Sequence, residues 1–231
     1  MIEPIEQPER ICFPCGLKYD TKKYGNQCPK CQNQEQNAKA QAGRSIIYGL
    51  TGNLNAMTFS TFKSTEQPAA FAEAMKFIDD LPHGRVLVLL GAPGTGKTHL
   101  IVAICLAALN CQINGAYRSM VTLTNEWKRA EDWGQYHREK ITPLFDIELL
   151  ALDELGREAR TDQMLAGLDE LIDYRYIHGL ATVLGSNLKS SAFEQYVGDS
   201  LWSRLSHSGW AEIITMAGKW PDNDYRRRLR E

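Results

Sequence analysis

The sequence predicts an α/β fold: a parallel β-sheet with flanking helices and a phosphate-binding loop, preceded by a small four-cysteine module. Three observations support this prediction. Residues 85–90 are continuously apolar after their first residue, which is typical of a strand buried on both faces of a parallel sheet. The motif GAPGTGKT follows directly at residues 91–98 and leads into an apolar helix. Further apolar segments occur at 147–154, which ends in two acidic residues, and at 181–185, which leads directly to Ser186 and Asn187.

Composition excludes several classes of protein. The chain has 231 residues, 43% of them hydrophobic and 23% charged, with a formal charge of −2, which is typical of a globular domain and not of a disordered tail. No apolar run approaches the ~18 residues of a membrane span, and the first residues do not resemble a secretion signal. We therefore expect a cytoplasmic protein with no membrane partner. Its near-neutral charge means that any nucleic-acid binding must come from local patches.

Residues 1–35 contain two CxxC pairs, formed by Cys12, Cys15, Cys28 and Cys31. Two residues between thiolates let one turn present both sulfurs to a tetrahedral ion, so the pairs predict a zinc module similar to a zinc ribbon. Two disulfides are the alternative, but thiols stay reduced in the expected compartment. We expect Zn²⁺ to hold this small unit folded.

Residues 36–56 are rich in Gln, Asn, Ala and Gly, and they are predicted to be a linker. The predicted ATPase domain covers residues 57–231. It begins with MTFSTF and an amphipathic helix over residues 69–78, which ends before Pro82 and Gly84.

The P-loop motif predicts an ATP site. Its glycines let backbone N–H groups surround a phosphate, and the following helix directs its positive end at the same anion. Lys97 is expected to reach the β and γ phosphates, and Thr98 to bind Mg²⁺. The predicted nucleotide-binding residues of the loop are Gly91, Ala92, Pro93, Gly94, Thr95, Gly96, Lys97 and Thr98.

The strand predicted at residues 147–154 ends in Asp153 and Glu154. A P-loop enzyme needs such an acidic strand end, with one carboxylate at the Mg²⁺ ion and the next able to polarise the attacking water. The glutamate favours a hydrolytic ATPase over a kinase.

A helix is predicted over residues 162–176, and it precedes the strand at 181–185. Asn187 follows that strand and is a candidate for contact with the γ-phosphate or the water, although an isolated Asn is also a common turn residue. A last strand is expected at residues 211–216.

The series GTGKTH, LDELG, IDYRY, GSNL and LWSRL resembles the AAA+ ATPases of the DnaC-type helicase loaders and their IstB relatives, over residues 57–231. The resemblance adds His99 to the nucleotide site. It implies that Asn187 is the sensor 1 residue and that Arg204 is an arginine finger for the ATP of a neighbouring subunit, hence a homo-oligomer. Arg175 also matches a recurrent family arginine, with no role assigned.

Many phage and prophage loaders of this family look similar in having a four-cysteine module ahead of the ATPase, and in related loaders the N-terminal domain binds the replicative helicase. Only a short tail follows the last predicted strand, so we expect a vestigial lid. Arg226 in that tail is either a substitute for the lid's arginine sensor or part of a solvated basic end.

Residues 122–140 interleave aromatic and basic side chains. They predict an amphipathic helix whose aromatics pack on the core. The alternative, taken from the family, is contact with single-stranded DNA by base stacking and phosphate binding. The residues concerned are Trp127, Lys128, Arg129, Trp133, Tyr136, Arg138 and Lys140.

Three functions are compatible with these patterns. The first is an ATP-dependent loader that delivers a replicative helicase to single-stranded DNA. The second is an IstB-like transposition helper that acts on duplex target DNA. The third is a binding module in which nucleotide is a structural switch with negligible turnover.

Overall fold

A computed structural model describes residues 9–11, 18–20, 47–50, 52–133, 135–207 and 209–218, with the side chains of 9–11, 18–20, 129–133 and 135–140 left out. Two groups of predictions lie outside this part of the chain. One is the zinc site at Cys12, Cys15, Cys28 and Cys31, and the other is the basic tail with Arg226 and the predicted vestigial lid.

The described strands form two sheets. β1 (Glu9–Ile11) and β2 (Lys18–Asp20) pair antiparallel. The second sheet has six parallel strands in the order β3-β5-β6-β7-β4-β8. Its members are β3 (Ile47–Tyr48), β4 (Val86–Leu90), β5 (Gly115–Ser119), β6 (Leu149–Leu155), β7 (Ala181–Ser186) and β8 (Ala211–Thr215).

Six α-helices connect and cover these strands within the described part of the chain. Their ends agree with local sequence: the first begins at a proline, and the fifth is capped by Thr161, whose hydroxyl accepts from Met164 N at 3.2 Å. The helices are α1 (Pro68–Asp79), α2 (Lys97–Asn110), α3 (Met120–Trp133), α4 (Gln135–Asp146), α5 (Asp162–Ile177) and α6 (Ser190–Leu205).

The sheet lies between two hydrophobic cores. Leu87 and Leu89 of β4 point into the core shared with α1 and α2, whereas Val86, Val88 and Leu90 point into the core shared with helices α3 to α6. All five residues are buried. The predicted α/β fold with a parallel sheet and flanking helices is therefore confirmed, and the apolar run of β4 reflects burial on both faces.

Three features of the fold were not predicted. The short strand β5 lies between α2 and α3. β3 lies inside the stretch assigned to the linker and pairs with β5 at the edge of the sheet. α6 is broken at Gly198, whose φ of 79° and ψ of 169° are not helical, so two short helices meet at that glycine.

The parallel topology positions the candidate site. The carboxyl ends of β4, β5, β6 and β7 meet at one edge of the sheet, and these are the ends that carry the P-loop and the polar residues singled out in the sequence. Among the described helices, none combines the length and the apolar character needed to cross a bilayer.

Candidate functional site

The P-loop joins β4 to α2 and is packed tightly on both sides. A Cβ added at Gly91 would lie 2.7 Å from the Met216 carbonyl oxygen, and one added at Gly96 would lie 2.9 Å from the ring of Phe62. Both glycines have positive φ, 149° and 98°. Glycine is therefore required at these two positions by the close approach of neighbouring segments as well as by the turn.

Lys97 is the first residue of α2, and its side chain is buried inside the loop. Its Nζ donates hydrogen bonds to the carbonyl oxygens of Gly91 at 2.7 Å and Ala92 at 2.9 Å. The ammonium group is thus held at the concave side of the loop, where the sequence places the phosphates.

Thr98 and Asp153 are 55 residues apart in sequence and in direct contact in the fold. Thr98 Oγ1 donates to Asp153 Oδ2 at 2.6 Å. Asp153 is buried, and its other carboxylate oxygen accepts the backbone N–H of Glu154 at 2.8 Å. The predicted hydroxyl and carboxylate ligands are therefore side by side.

Gly185 on β7 makes room for this carboxylate. A Cβ there would lie 2.5 Å from Asp153 Oδ1 and 2.5 Å from a methyl group of Ile101. Any side chain at 185 would collide with the acid or with α2, so this glycine belongs to the site although sequence reasoning missed it.

Tyr117 on β5 is a second residue that the sequence did not single out. Its hydroxyl donates to Asp153 Oδ2 at 3.2 Å. Burial, followed by the charge of Asp153, raises the pKa of Tyr117 well above its usual range, so the phenol stays protonated. The same two causes raise the pKa of the Cys105 thiol, which is buried in the core on α2, to about 12.

Glu154 occupies an irregularity in β6. The pairing of β6 with β7 shifts register between Leu152 and Leu155, and Glu154 has a φ of 61°. Left-handed conformations are uncommon for residues other than glycine and often mark functional sites. The Glu154 carboxylate is ion-paired with Arg157, which follows one turn later.

The oxygen atoms that could bind a metal at the carboxyl ends of the strands fit a magnesium ion. Thr98 and Asp153 offer hard oxygen ligands. Among the described residues, Asp153 accepts hydrogen bonds from Thr98, Tyr117 and the backbone N–H of Glu154, and all three donors are uncharged. A buried carboxylate whose hydrogen-bond donors are neutral keeps its charge available for a cation.

β7 ends at Ser186 beside the P-loop. The Ser186 carbonyl accepts Gly91 N at 3.2 Å, and its hydroxyl donates to the Leu155 carbonyl at 2.6 Å. Asn187 comes next and is exposed at the same edge. The fold thus brings the predicted sensor position to the P-loop end of the sheet.

His99 faces the segment that precedes α1. Its Nε2 lies 2.9 Å from the Thr58 carbonyl oxygen and 3.2 Å from Thr61 Oγ1, and its ring meets Phe62 edge to face. In this structure His99 fixes that segment to the start of α2. Contact with nucleotide remains a prediction.

Arg204 lies on the second half of α6 and contacts α5. Its guanidinium pairs with Asp169 at 3.0 Å and with Asp173 at 2.7 Å. Within one subunit the predicted finger is therefore held by two carboxylates one helical turn apart.

Arg175 has a structural position. It is fully buried, and its guanidinium donates five hydrogen bonds at the amino-terminal end of the sheet, opposite the P-loop. Burial lowers the pKa of Arg175 to about 9, so it is charged at neutral pH. The acceptors are Thr182 Oγ1 and the carbonyl oxygens of Leu144, Phe145, Ile147 and Ala181.

Trp127 packs on the core. Its indole lies against α5, where a Cβ on Gly167 would be 3.4 Å from the ring. This agrees with the preferred interpretation of residues 122–140 for Trp127, while Lys128 is exposed. The side chains of Arg129, Trp133, Tyr136, Arg138 and Lys140 lie outside the described set.

Residues 53–220 match the sequence model of a family described as IstB-like ATP binding protein. Two curated relatives represent two kinds of protein. The putative ATP-binding protein of insertion sequence IS5376 from Geobacillus stearothermophilus is 28% identical over 150 residues, covering 62% of this chain. The replicative helicase loader DnaC of Escherichia coli K12 is 23% identical over 152 residues, again 62% of this chain.

The matched regions span 58% of the insertion-sequence protein and 60% of the loader. Among solved structures, a crystal structure of the DnaC helicase loader superposes with a TM-score of 0.65 and 23% sequence identity. The superposition covers 72% of this chain and 100% of that one, so the two share a fold.

Proposed function

This chain belongs to the IstB-like ATP binding protein family, and on that premise we propose that it hydrolyses ATP to load a replicative helicase onto single-stranded DNA. The observation that carries the hydrolytic part is the contact of Thr98 with Asp153 at 2.6 Å, with Glu154 next in the chain. The loading part is supported by the similarity to the DnaC loader in sequence and fold.

The chain's own residues have distinct tasks in this proposal. The P-loop N–H groups and Lys97 bind the phosphates, and Thr98 with Asp153 would hold Mg²⁺, which supplies charge stabilisation when bound. Glu154 accepts a proton from the attacking water, and Asn187 is proposed to orient that water or the γ-phosphate. Arg204 is proposed to act on the ATP of a neighbouring subunit, which makes turnover depend on assembly.

The proposed partners follow from this scheme: a replicative helicase, single-stranded DNA and further copies of this chain. The four-cysteine module is proposed to bind Zn²⁺ and to recruit the helicase. The proposed domain organisation is a zinc module over residues 1–35, a linker over 36–56 and the ATPase domain over 57–231. β3 lies within that linker and joins it to the ATPase sheet.

A second candidate function is a transposition helper that acts on duplex target DNA. It is favoured by the insertion-sequence relative, which is the more identical of the two curated proteins compared above. This function uses the same ATP site and differs in its DNA substrate and partner.

The deciding experiment reconstitutes loading. The replicative helicase of the same cell is offered closed circular single-stranded DNA with ATP, with and without this protein, and DNA-bound helicase is counted after gel filtration. Loading that requires this chain and is lost in Lys97→Ala supports the proposal. No increase in bound helicase, together with ATP turnover stimulated by duplex DNA alone, would support the transposition helper.

The third function, a nucleotide switch with negligible turnover, is tested by steady-state hydrolysis. We expect turnover that disappears in Glu154→Gln while ATP binding persists. Tight binding with no turnover in any assembly would replace the enzymatic proposal by the switch.

A further inference from the structure

Tyr117 contacts the carboxylate on which the proposed metal site depends. Its hydroxyl lies 3.2 Å from Asp153 Oδ2, the same oxygen that accepts from Thr98 Oγ1 at 2.6 Å. The other carboxylate oxygen accepts the N–H of Glu154 at 2.8 Å. Both carboxylate oxygens of the buried Asp153 thus accept hydrogen bonds. The three donors lie on α2, β5 and β6.

The fold places Tyr117 for this contact. Tyr117 pairs with Ala151 on β6, two residues before Asp153, and its ring packs against the core shared with α1 and α2. Its backbone carbonyl accepts from the Arg118 guanidinium at 2.9 Å. The position of the hydroxyl therefore follows from strand register and core packing, and not from a mobile side chain on the surface.

The chemistry of the donor matters as much as its position. A lysine or arginine beside Asp153 would neutralise the charge that attracts a divalent cation, whereas a phenol donates a hydrogen bond and leaves the carboxylate negative. Groups that hydrogen-bond a metal ligand fix its orientation, and their removal weakens metal binding.

We propose that Tyr117 is a positioning residue for Asp153, whose carboxylate it holds in the orientation that forms a divalent-cation site with Thr98. The inference rests on the proposed function, because it assigns Mg²⁺ to this pair. It goes further in naming a residue outside the P-loop and the acidic strand end that sets the affinity for the metal.

The test uses the full chain and the variant Tyr117→Phe, which keeps the ring and its packing. Affinity for a fluorescent ATP analogue is measured first in EDTA and then over a Mg²⁺ titration. The control is Tyr174→Phe, which also removes a phenol bonded to an aspartate, since Tyr174 donates to Asp146 at 2.5 Å, away from the P-loop edge.

We expect Tyr117→Phe to raise the half-saturating Mg²⁺ concentration about five- to tenfold, the effect of one lost hydrogen bond. Affinity in EDTA stays within about twofold of wild type, because the phosphate-binding groups are untouched. Tyr174→Phe matches wild type in both measurements.

Two results would overturn the inference. One is an unchanged Mg²⁺ dependence in Tyr117→Phe. The other is an equal loss of affinity with and without Mg²⁺, since that pattern indicates general damage to the pocket. A failure of the proposed hydrolysis can be distinguished from a failure of this inference. If the wild-type chain shows no ATP turnover, the hydrolytic proposal fails, whereas the Mg²⁺ dependence of nucleotide binding still tests the role of Tyr117.

Discussion

Glu154 is restrained twice, by a left-handed φ of 61° and by its ion pair with Arg157. The two side chains are 32% and 63% exposed, and ion pairs of such exposure contribute at most about 1 kcal/mol. The ion pair therefore restrains the carboxylate of the proposed general base only weakly, and breaking the pair requires little free energy.

We expect Arg157→Ala to raise basal ATP turnover by up to about fivefold, the factor that corresponds to ~1 kcal/mol, because more subunits then present a free Glu154 carboxylate. Steady-state phosphate release without DNA measures this. The matched control is Arg160→Ala, which removes the same charge from the same loop without contact to Glu154. Turnover that is unchanged or lower in Arg157→Ala would show that the ion pair does not restrain the base.

Arg175→Met is expected to destabilise the protein by about 3–5 kcal/mol, because it leaves buried carbonyl groups without a donor. Denaturant unfolding gives the free energy. Arg175→Lys is expected to lose most of the same stability, since an ammonium group does not reproduce the planar fork. A normal unfolding free energy with reduced ATP turnover would instead give Arg175 a role in the reaction.

Single residues differ in how far sequence identifies them. Lys97 and Thr98 belong to a contiguous motif whose backbone geometry is local, so their placement could be anticipated. Tyr117 became visible only when the register of β5 against β6 was known, because its partner is remote in sequence. The family resemblance marks Arg175 without a role, and that role follows from its five hydrogen-bond acceptors, which no sequence spacing reveals.

At the scale of the elements, β3 is the short strand that pairs with β5 at the edge of the six-stranded sheet. Directly after it, Gly49 has a φ of 92°, and a Cβ there would lie 2.1 Å from the Tyr117 carbonyl oxygen. The chain therefore leaves the sheet in contact with the strand that carries Tyr117.

Gly49→Ala tests this contact. We expect it to destabilise the chain by at least about 2 kcal/mol more than Gly52→Ala, because both positions have positive φ but only Gly49 is crowded. A Cβ at Gly52, whose φ is 60°, would meet nothing within 4 Å. Thermal and denaturant unfolding of the two variants give the comparison. Equal losses would mean that the β3 turn adapts without disturbing β5.

Elements were predictable in proportion to their apolar content. β4, β6 and β7 were found because parallel strands buried on both faces are apolar runs. β5 reads GAYRS and β3 has two residues, so neither carries such a run, and both depend on pairing with a neighbour. The break in α6 at Gly198 has no distinctive sequence signal, because a single glycine is also tolerated within a continuous helix.

At the scale of the whole molecule, the position of Arg204 bears on assembly. Its two carboxylate partners lie on α5 of the same subunit. To act on a neighbour's ATP, the guanidinium has to exchange at least one of these partners for a phosphate at the subunit interface, which favours activity only in the assembled state.

Mixing subunits tests action in trans. Lys97→Ala and Arg204→Ala are each expected to be inactive, whereas an equal mixture recovers about one quarter of wild-type turnover, since one interface in four pairs an intact site with an intact finger. The control mixture of Lys97→Ala with Glu154→Gln recovers nothing, because both defects act within one site. No recovery in the first mixture would contradict the finger.

The cysteine pairs make a separate prediction about metal and partner. The wild-type chain is expected to bind one zinc ion, and Cys28→Ser to lose it together with binding to the replicative helicase, while ATP binding persists. Elemental analysis and helicase pull-down measure the two effects. Cys111→Ser is the control, since this cysteine lies directly after α2 and outside the two CxxC pairs. Unchanged helicase binding in Cys28→Ser would exclude recruitment by the module.

β3 also limits the distance between the sheet and a partner bound at the four cysteines. Ile47 pairs with Gly115 in the sheet and lies 16 residues after Cys31, so backbone dimensions allow the two residues to lie at most about 55 Å apart. A helicase subunit bound at the cysteines would be confined within that radius of the β5 edge, at an effective concentration of about 2 mM. A contact between that helicase and the domain of the parallel sheet would then be occupied most of the time if its Kd lay well below about 2 mM.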